Sequence, residues 1–184
     1  MSLVELIAQA DERGLVAGGL ACLDRCLPLL GGDDEILRPL WGNLTEDADA
    51  AEWGELVERA RDKLGAPAAQ GDEAVLLAHG MLAAAPDDRR AAGVRAWADA
   101  CSVASLRIHG LLDPTPDDAP VDSRREGRTE GMSPLVAAEL RRQVTVLEIL
   151  AGHGAGGLRH ALEVSTEGRR VLRAVVSRRA RGRT

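Results

Sequence analysis

An all-α fold of about eight helices is predicted for this chain by three features of its sequence. Apolar residues make up 45% of 184, yet Phe and Tyr are absent and three Trp supply every aromatic ring. Ala and Leu, which dominate such a core, are the strongest helix formers, and small side chains let helices approach closely. Strands draw on Tyr, Phe, Thr and other β-branched residues, which are thin here. Second, apolar residues recur at steps of three and four through most of the chain. Third, capping residues and Gly or Pro breaks separate these periodic stretches.

The elements follow in order. Ser2 and Glu5 form a capping box ahead of Leu3, Leu6, Ile7 and Ala10, with Gly14 as the stop. Val16, Leu20, Leu23, Leu27 and Leu30 mark a second helix that Pro28 should end early. Gly31-Gly32 breaks the chain before a short segment with Ile36, Leu37, Leu40 and Trp41 inward. Thr45 and the acids after it suit a helix N-terminus, so helix four should run from there to Gly65 over Trp53, Leu56, Val57, Ala60 and Leu64. Helix five, about 72–85, is apolar on nearly every side and should be central. In helix six Val94, Trp97, Cys101, Ala104, Ile108 and Leu111 repeat at steps of 3,4,3,4,3, a seam for packing on another helix or subunit.

Residues 113–132 contain three Pro, several Asp, Arg124 and Arg125, and read as a flexible acidic, Pro-rich connector. Ser133-Pro134 restarts a helix with Val136, Leu140, Val144, Leu147 and Leu150 inward. A glycine-rich bend at 152–157 leads to a last helix carrying Leu158, Leu162, Leu172 and Val175, frayed over Arg178 to Thr184. The expected organisation is a six-helix body (1–112), the loop (113–132) and a basic C-terminal hairpin (133–184).

The formal net charge is −6. Residues 133–184 hold ten Arg and four acids, an excess of six positive charges, so the first 132 residues carry −12. Such asymmetry points the C-terminal part at something acidic: nucleic acid, another protein, or the chain's own body. Lys63 is the only lysine, an arginine bias that GC-rich coding also produces. The N-terminus carries no targeting pattern, no stretch is long and apolar enough for a membrane, and three cysteines form no secreted framework. A cytoplasmic protein with reduced thiols is expected.

Gly152, Gly154 and Gly157 make a GxGxxG, and the stretch resembles the first motif of S-adenosylmethionine-dependent methyltransferases. That motif needs a strand before it and a second strand after it. Leu140, Val144, Leu147 and Ala151 are instead helically spaced, so the glycines read as a helix bend. Leu162-Glu163-Val164-Ser165 resembles the turn of helix-turn-helix DNA-binding domains, with Glu163 where that turn has glycine and Arg159 where the first helix has alanine. The resemblance implies a degenerate motif over 145–180, with Arg169, Arg170 and Arg173 on a recognition helix. Cys22 and Cys26 lie four apart on one helix side, as half a metal site or as buried core thiols. His79, His109, His153 and His160 fall in no catalytic or metal-binding pattern.

No cofactor and no catalytic or metal-ligand set is therefore assigned. The sequence predicts a non-catalytic helical interaction or regulatory protein, with a DNA-binding regulator as the alternative and an enzyme with a site assembled across helices as a third reading. Its partner would be another protein or a second copy, or nucleic acid through the last helix. Candidate partner or DNA contacts are Arg159, Arg169, Arg170, Arg173, Arg178 and Arg179. The candidate helix-packing or oligomer seam is Val94, Trp97, Cys101 and Ile108.

Overall fold

A computed structural model describes residues 1–182, and these form nine α-helices with no strand among them. They are α1 (Leu3–Gln9), α2 (Glu12–Arg25), α3 (Arg38–Gly42), α4 (Trp53–Leu64), α5 (Glu73–Ala83), α6 (Ala91–Leu112), α7 (Val121–Arg125), α8 (Pro134–His153) and α9 (Leu158–Gly182). Short 3-10 turns occupy 27–29, 50–52 and 154–157. Of the stretch expected to fray, residues 178–182 are helical, and Arg183 and Thr184 lie outside the described residues. No described helix is long and apolar enough to cross a membrane.

The capping box forms as expected, with Glu5 N donating to Ser2 Oγ at 3.3 Å and Ser2 N to Glu5 Oε2 at 2.7 Å. Gly14 does not stop α1. Asp11 restarts the chain first, its Oδ1 accepting Gly14 N at 2.7 Å, so Gly14 lies inside α2. The central helix is α2, not α5. It packs against α6, α8 and α9 and buries nearly every residue from Gly14 to Arg25. Gly19 allows this, because a Cβ there would sit 2.8 Å from Trp97 Cζ3 on α6. α5 lies at the outside, with Leu76 44% exposed. Apolar composition reports how much side chain wants cover, not whether this chain supplies it.

Thr45 does not open α4; its hydroxyl donates to Gly42 O at 2.9 Å. Asp49 instead caps the 3-10 turn through Ala51 N, and α4 follows from Trp53. Gly65 closes α4 at φ +66°. The 113–132 segment is a packed element rather than an open connector. Asp113 Oδ2 accepts Leu135 N at 2.7 Å, so the residue ending α6 caps the start of α8. Asp117 pairs with buried Arg124, which also donates to the carbonyls of Arg128 and Glu130. Arg125, buried as well, pairs with Asp99 of α6. α8 and α9 dock on the body through α2 and α6.

The close approaches make a testable contrast. A Cβ at Gly54 in α4 would lie 2.5 Å from Asp87 O, whereas one at Gly93 in the first turn of α6 would meet only Pro86 Cβ, at an ordinary contact distance of 3.8 Å. Gly54→Ala should cost about 1–3 kcal/mol by overpacking against backbone. Gly93→Ala should gain roughly 0.5 kcal/mol from helix propensity. Urea unfolding of the two variants reads both signs.

Candidate functional site

Polar residues that cannot reach solvent gather at one level of the helical stack. α8 turns inward a face running Val136, Glu139, Gln143, Val146 and Leu150, spaced 3,4,3,4 and set beside the Leu140–Val144 side that hydropathy favours. On α6, Ser102, Ser105 and His109 follow the same spacing. Arg25, the last residue of α2, enters between them.

Arg25 and Glu139 are both fully buried and form a bidentate pair, Nε to Oε2 and Nη2 to Oε1, each at 2.7 Å. Glu139 Oε1 also accepts Ser105 Oγ at 2.7 Å and Gln143 Nε2 at 2.9 Å. Gln143 Oε1 takes the Ser102 hydroxyl at 2.6 Å, and Ser102 in turn accepts Arg125 Nε at 3.2 Å. His109 directs Nδ1 at Ser105 O, 2.7 Å away, and Nε2 at Glu139 Oε2, 3.6 Å away. Gly168 on α9 leaves room for the Arg25 stem, which a Cβ there would overlap.

Burial pushes the Glu139 carboxyl up, but the Arg25 guanidinium overrides it and holds the group at about 2. Burial lowers His109 despite the nearby Glu139 carboxylate, so the imidazole is the neutral partner in the cluster. Burial raises the Cys22 thiol to about 12 and pushes Cys26 and Cys101 upward as well. Protonated, enclosed thiols are packing groups rather than nucleophiles. Among the described residues no three His, Cys, Asp or Glu side chains are arranged to hold a metal ion.

A second set of charges ties α9 to the body. Asp24, beside Arg25 on α2, accepts Trp41 Nε1 at 2.8 Å and pairs with Arg169. Arg173 pairs with Asp34 in the segment before α3. The acidic target of these two basic residues is therefore the chain's own first third.

The structure divides the arginines singled out as partner or DNA contacts. Arg169 is buried on Asp24, Arg173 is half-buried on Asp34, and half-buried Arg179 donates to Leu111 O at 2.9 Å. Arg159, Arg170 and Arg178 are exposed, and Arg159 pairs with Glu163 one turn on. Leu162 to Ser165 lie within unbroken α9, so the turn a helix-turn-helix needs is absent there. Gly152 lies in the last turn of α8, which ends at His153, and Gly154 to Gly157 form the 3-10 turn between α8 and α9, the helix bend expected of these glycines.

The seam residues Val94, Trp97, Cys101 and Ile108 are all buried inside the chain. Trp97 meets Trp53 edge-on at 6.2 Å and donates Nε1 to Met81 O at 2.9 Å. The seam thus packs helices within one chain, and Trp97 and Cys101 also form the floor of a cleft between α5 and α6. Arg25, Asp24, Glu139 and Gln143 were not among the sequence candidates. One signal for them was a charged pair, Asp24-Arg25, inside an otherwise apolar helix.

A cavity of about 10 Å³ adjoins Arg25, Ser102 and Gln143, room for one water at most. The cluster's polar atoms are taken up by one another, and it acts as a fixed electrostatic clamp. Open space lies elsewhere. A groove of about 690 Å³ runs between α3 and α9 over Trp41, Leu158 and Leu162, rimmed by Arg38, Arg159, Glu163 and Arg170. A cleft of about 350 Å³ separates α5 from α6. Comparison with protein-family models, curated proteins and solved structures gave no match.

Removing one partner of the clamp leaves the other charge buried and unpaired. Glu139→Gln should destabilise the fold by about 3–5 kcal/mol, and Arg25→Leu with Glu139→Leu should recover at least half of that. Acid should act through the same residues. Glu139 and His109 both titrate lower when folded than their ordinary values of 4.5 and 6.5. Stability from His109 is present above pH 6.5 and is lost as pH falls through its folded value, and that from Glu139 is lost between pH 4.5 and about 2. Melting temperature should drop below pH 6.5, and His109→Gln should flatten the upper part of that fall.

Proposed function

We propose that this chain is a non-catalytic helical interaction protein that receives a protein partner in the groove between α3 and α9. The observation that carries this reading is a division of labour among polar groups. The converging titratable residues are sealed in the Arg25–Glu139 clamp, while the open α3–α9 groove offers an apolar floor with charges on its rim. A floor of Trp41, Leu158 and Leu162 under a charged rim suits an amphipathic segment, in which buried side chains supply affinity and the rim supplies orientation. Three free, buried cysteines accord with a reducing cytoplasm as its location.

The DNA-binding alternative draws on exposed Arg170 and Arg178. It loses force because Asp24 and Asp34 already neutralise Arg169 and Arg173, which leaves few cations on α9 for phosphates.

Two assays separate these readings. A photoreactive amino acid at Leu162 should cross-link one specific protein in cells, and reversing the exposed rim with Arg38→Glu and Arg170→Glu should abolish that adduct without lowering the melting temperature by more than a few degrees. Titration of duplex DNA at two salt concentrations should show no tight binding. Binding that falls steeply with salt, and that Arg170→Ala with Arg178→Ala removes, would replace the protein-partner reading with the nucleic-acid one.

A further inference from the structure

We infer that the outer face of α5 and α6 is a contact between two copies of this chain, related by a two-fold axis. α5 is apolar on both its sides. Ala74, Ala78, Met81 and Leu82 are buried inward, while Leu76, 44% exposed, lines an outward cleft with Leu77, Gly80 and Ala84. A helix at the surface ordinarily carries polar residues outward, and one that is apolar all round has both faces covered. Across the cleft α6 contributes Ala100 and Ala104, and the floor is Trp97 and Cys101. Small residues on both walls leave room for a side chain of Leu size to enter from another helix.

Charge selects a second copy as the occupant. The charged residues lining this cleft are Glu73 and Arg107, paired at 2.7 Å and each about half exposed, at 56% and 50%. A two-fold contact sets the same patch against itself, so Glu73 of each copy faces Arg107 of the other and the ends match in sign. Leu76 of each copy then enters the opposite cleft. The α3–α9 groove has no such symmetry: its rim carries three arginines, Glu163 and Glu167. α5 has 11 residues and is about 17 Å long, so the contact is small and the dimer should be weak. A dissociation constant on the order of tens of micromolar is expected.

Sedimentation equilibrium of the full chain over a hundredfold concentration range tests this. The mass should rise from the 19.5 kDa of one chain towards twice that value. Leu76→Asp should hold the monomer mass throughout while melting like the parent. Glu73→Arg makes the cleft end wholly basic and Arg107→Glu makes it wholly acidic. Each variant alone should stay monomeric, and an equimolar mixture should dimerise, which an effect within one chain cannot produce. A parent chain that remains monomeric at every concentration, or a Leu76→Asp variant that dimerises as the parent does, would overturn the inference. Either result leaves the α3–α9 cross-linking assay unaffected, so the two readings fail separately.

Discussion

The Arg25–Glu139 pair sets the arrangement of the four longest packed helices. Neither residue has access to solvent, so each charge requires the other and the hydroxyls and amide around them. Desolvating two ions costs several kcal/mol each, and replacing such pairs by apolar residues often leaves stability unchanged or improves it. What the pair supplies here is registration. Any slide of α8 along α6 would separate Glu139 from Ser105 and His109, and any slide of α9 along α2 would push Gly168 off the Arg25 stem. An Ala- and Leu-rich bundle has few side chains of distinctive shape, and this cluster distinguishes one alignment from its neighbours.

The charge asymmetry of the chain finds its counterpart within the molecule. Arg169 and Arg173 on α9 meet Asp24 and Asp34, and Arg179 meets the carbonyl end of α6 through Leu111. The same device recurs in the 113–132 segment, where Arg124 and Arg125 are wound into carbonyls and carboxylates. Arginine suits this use because one planar group donates in several directions at once.

Local chemistry was legible in the sequence. The Ser2–Glu5 box, the break at Pro28, the stop at Gly65 and the restart at Pro134 each depend on a few adjacent residues. Failures came where a distant group decides. Thr45 is a sound cap by type, but Asp49 supplies the nearer carboxylate before Trp53. Ser133 holds the N-cap position of α8, but the carboxylate that accepts from its first turn is Asp113, 22 residues before Leu135. The order within 113–132 rests on such pairs, so its composition alone read as a connector. The apolar side of α8 packs on the core as its spacing predicts, but its second buried side is not legible, because Glu139 and Gln143 look solvent-bound until Arg25 and Ser102 are placed beside them. The basic residues of α9 were recognised as needing an acidic counterpart, but a sequence cannot say on which molecule that counterpart lies.

Arg25 and Glu139 are 114 residues apart, and Asp24 and Arg169 are 145 apart. During synthesis, at roughly 5–20 residues per second, α2 leaves the ribosome many seconds before either mate exists. For that interval the end of the central helix holds two charges that cannot be buried, and the core around it cannot close. Burying that end of α2 therefore awaits α8 and α9, whatever packs earlier among the helices before them.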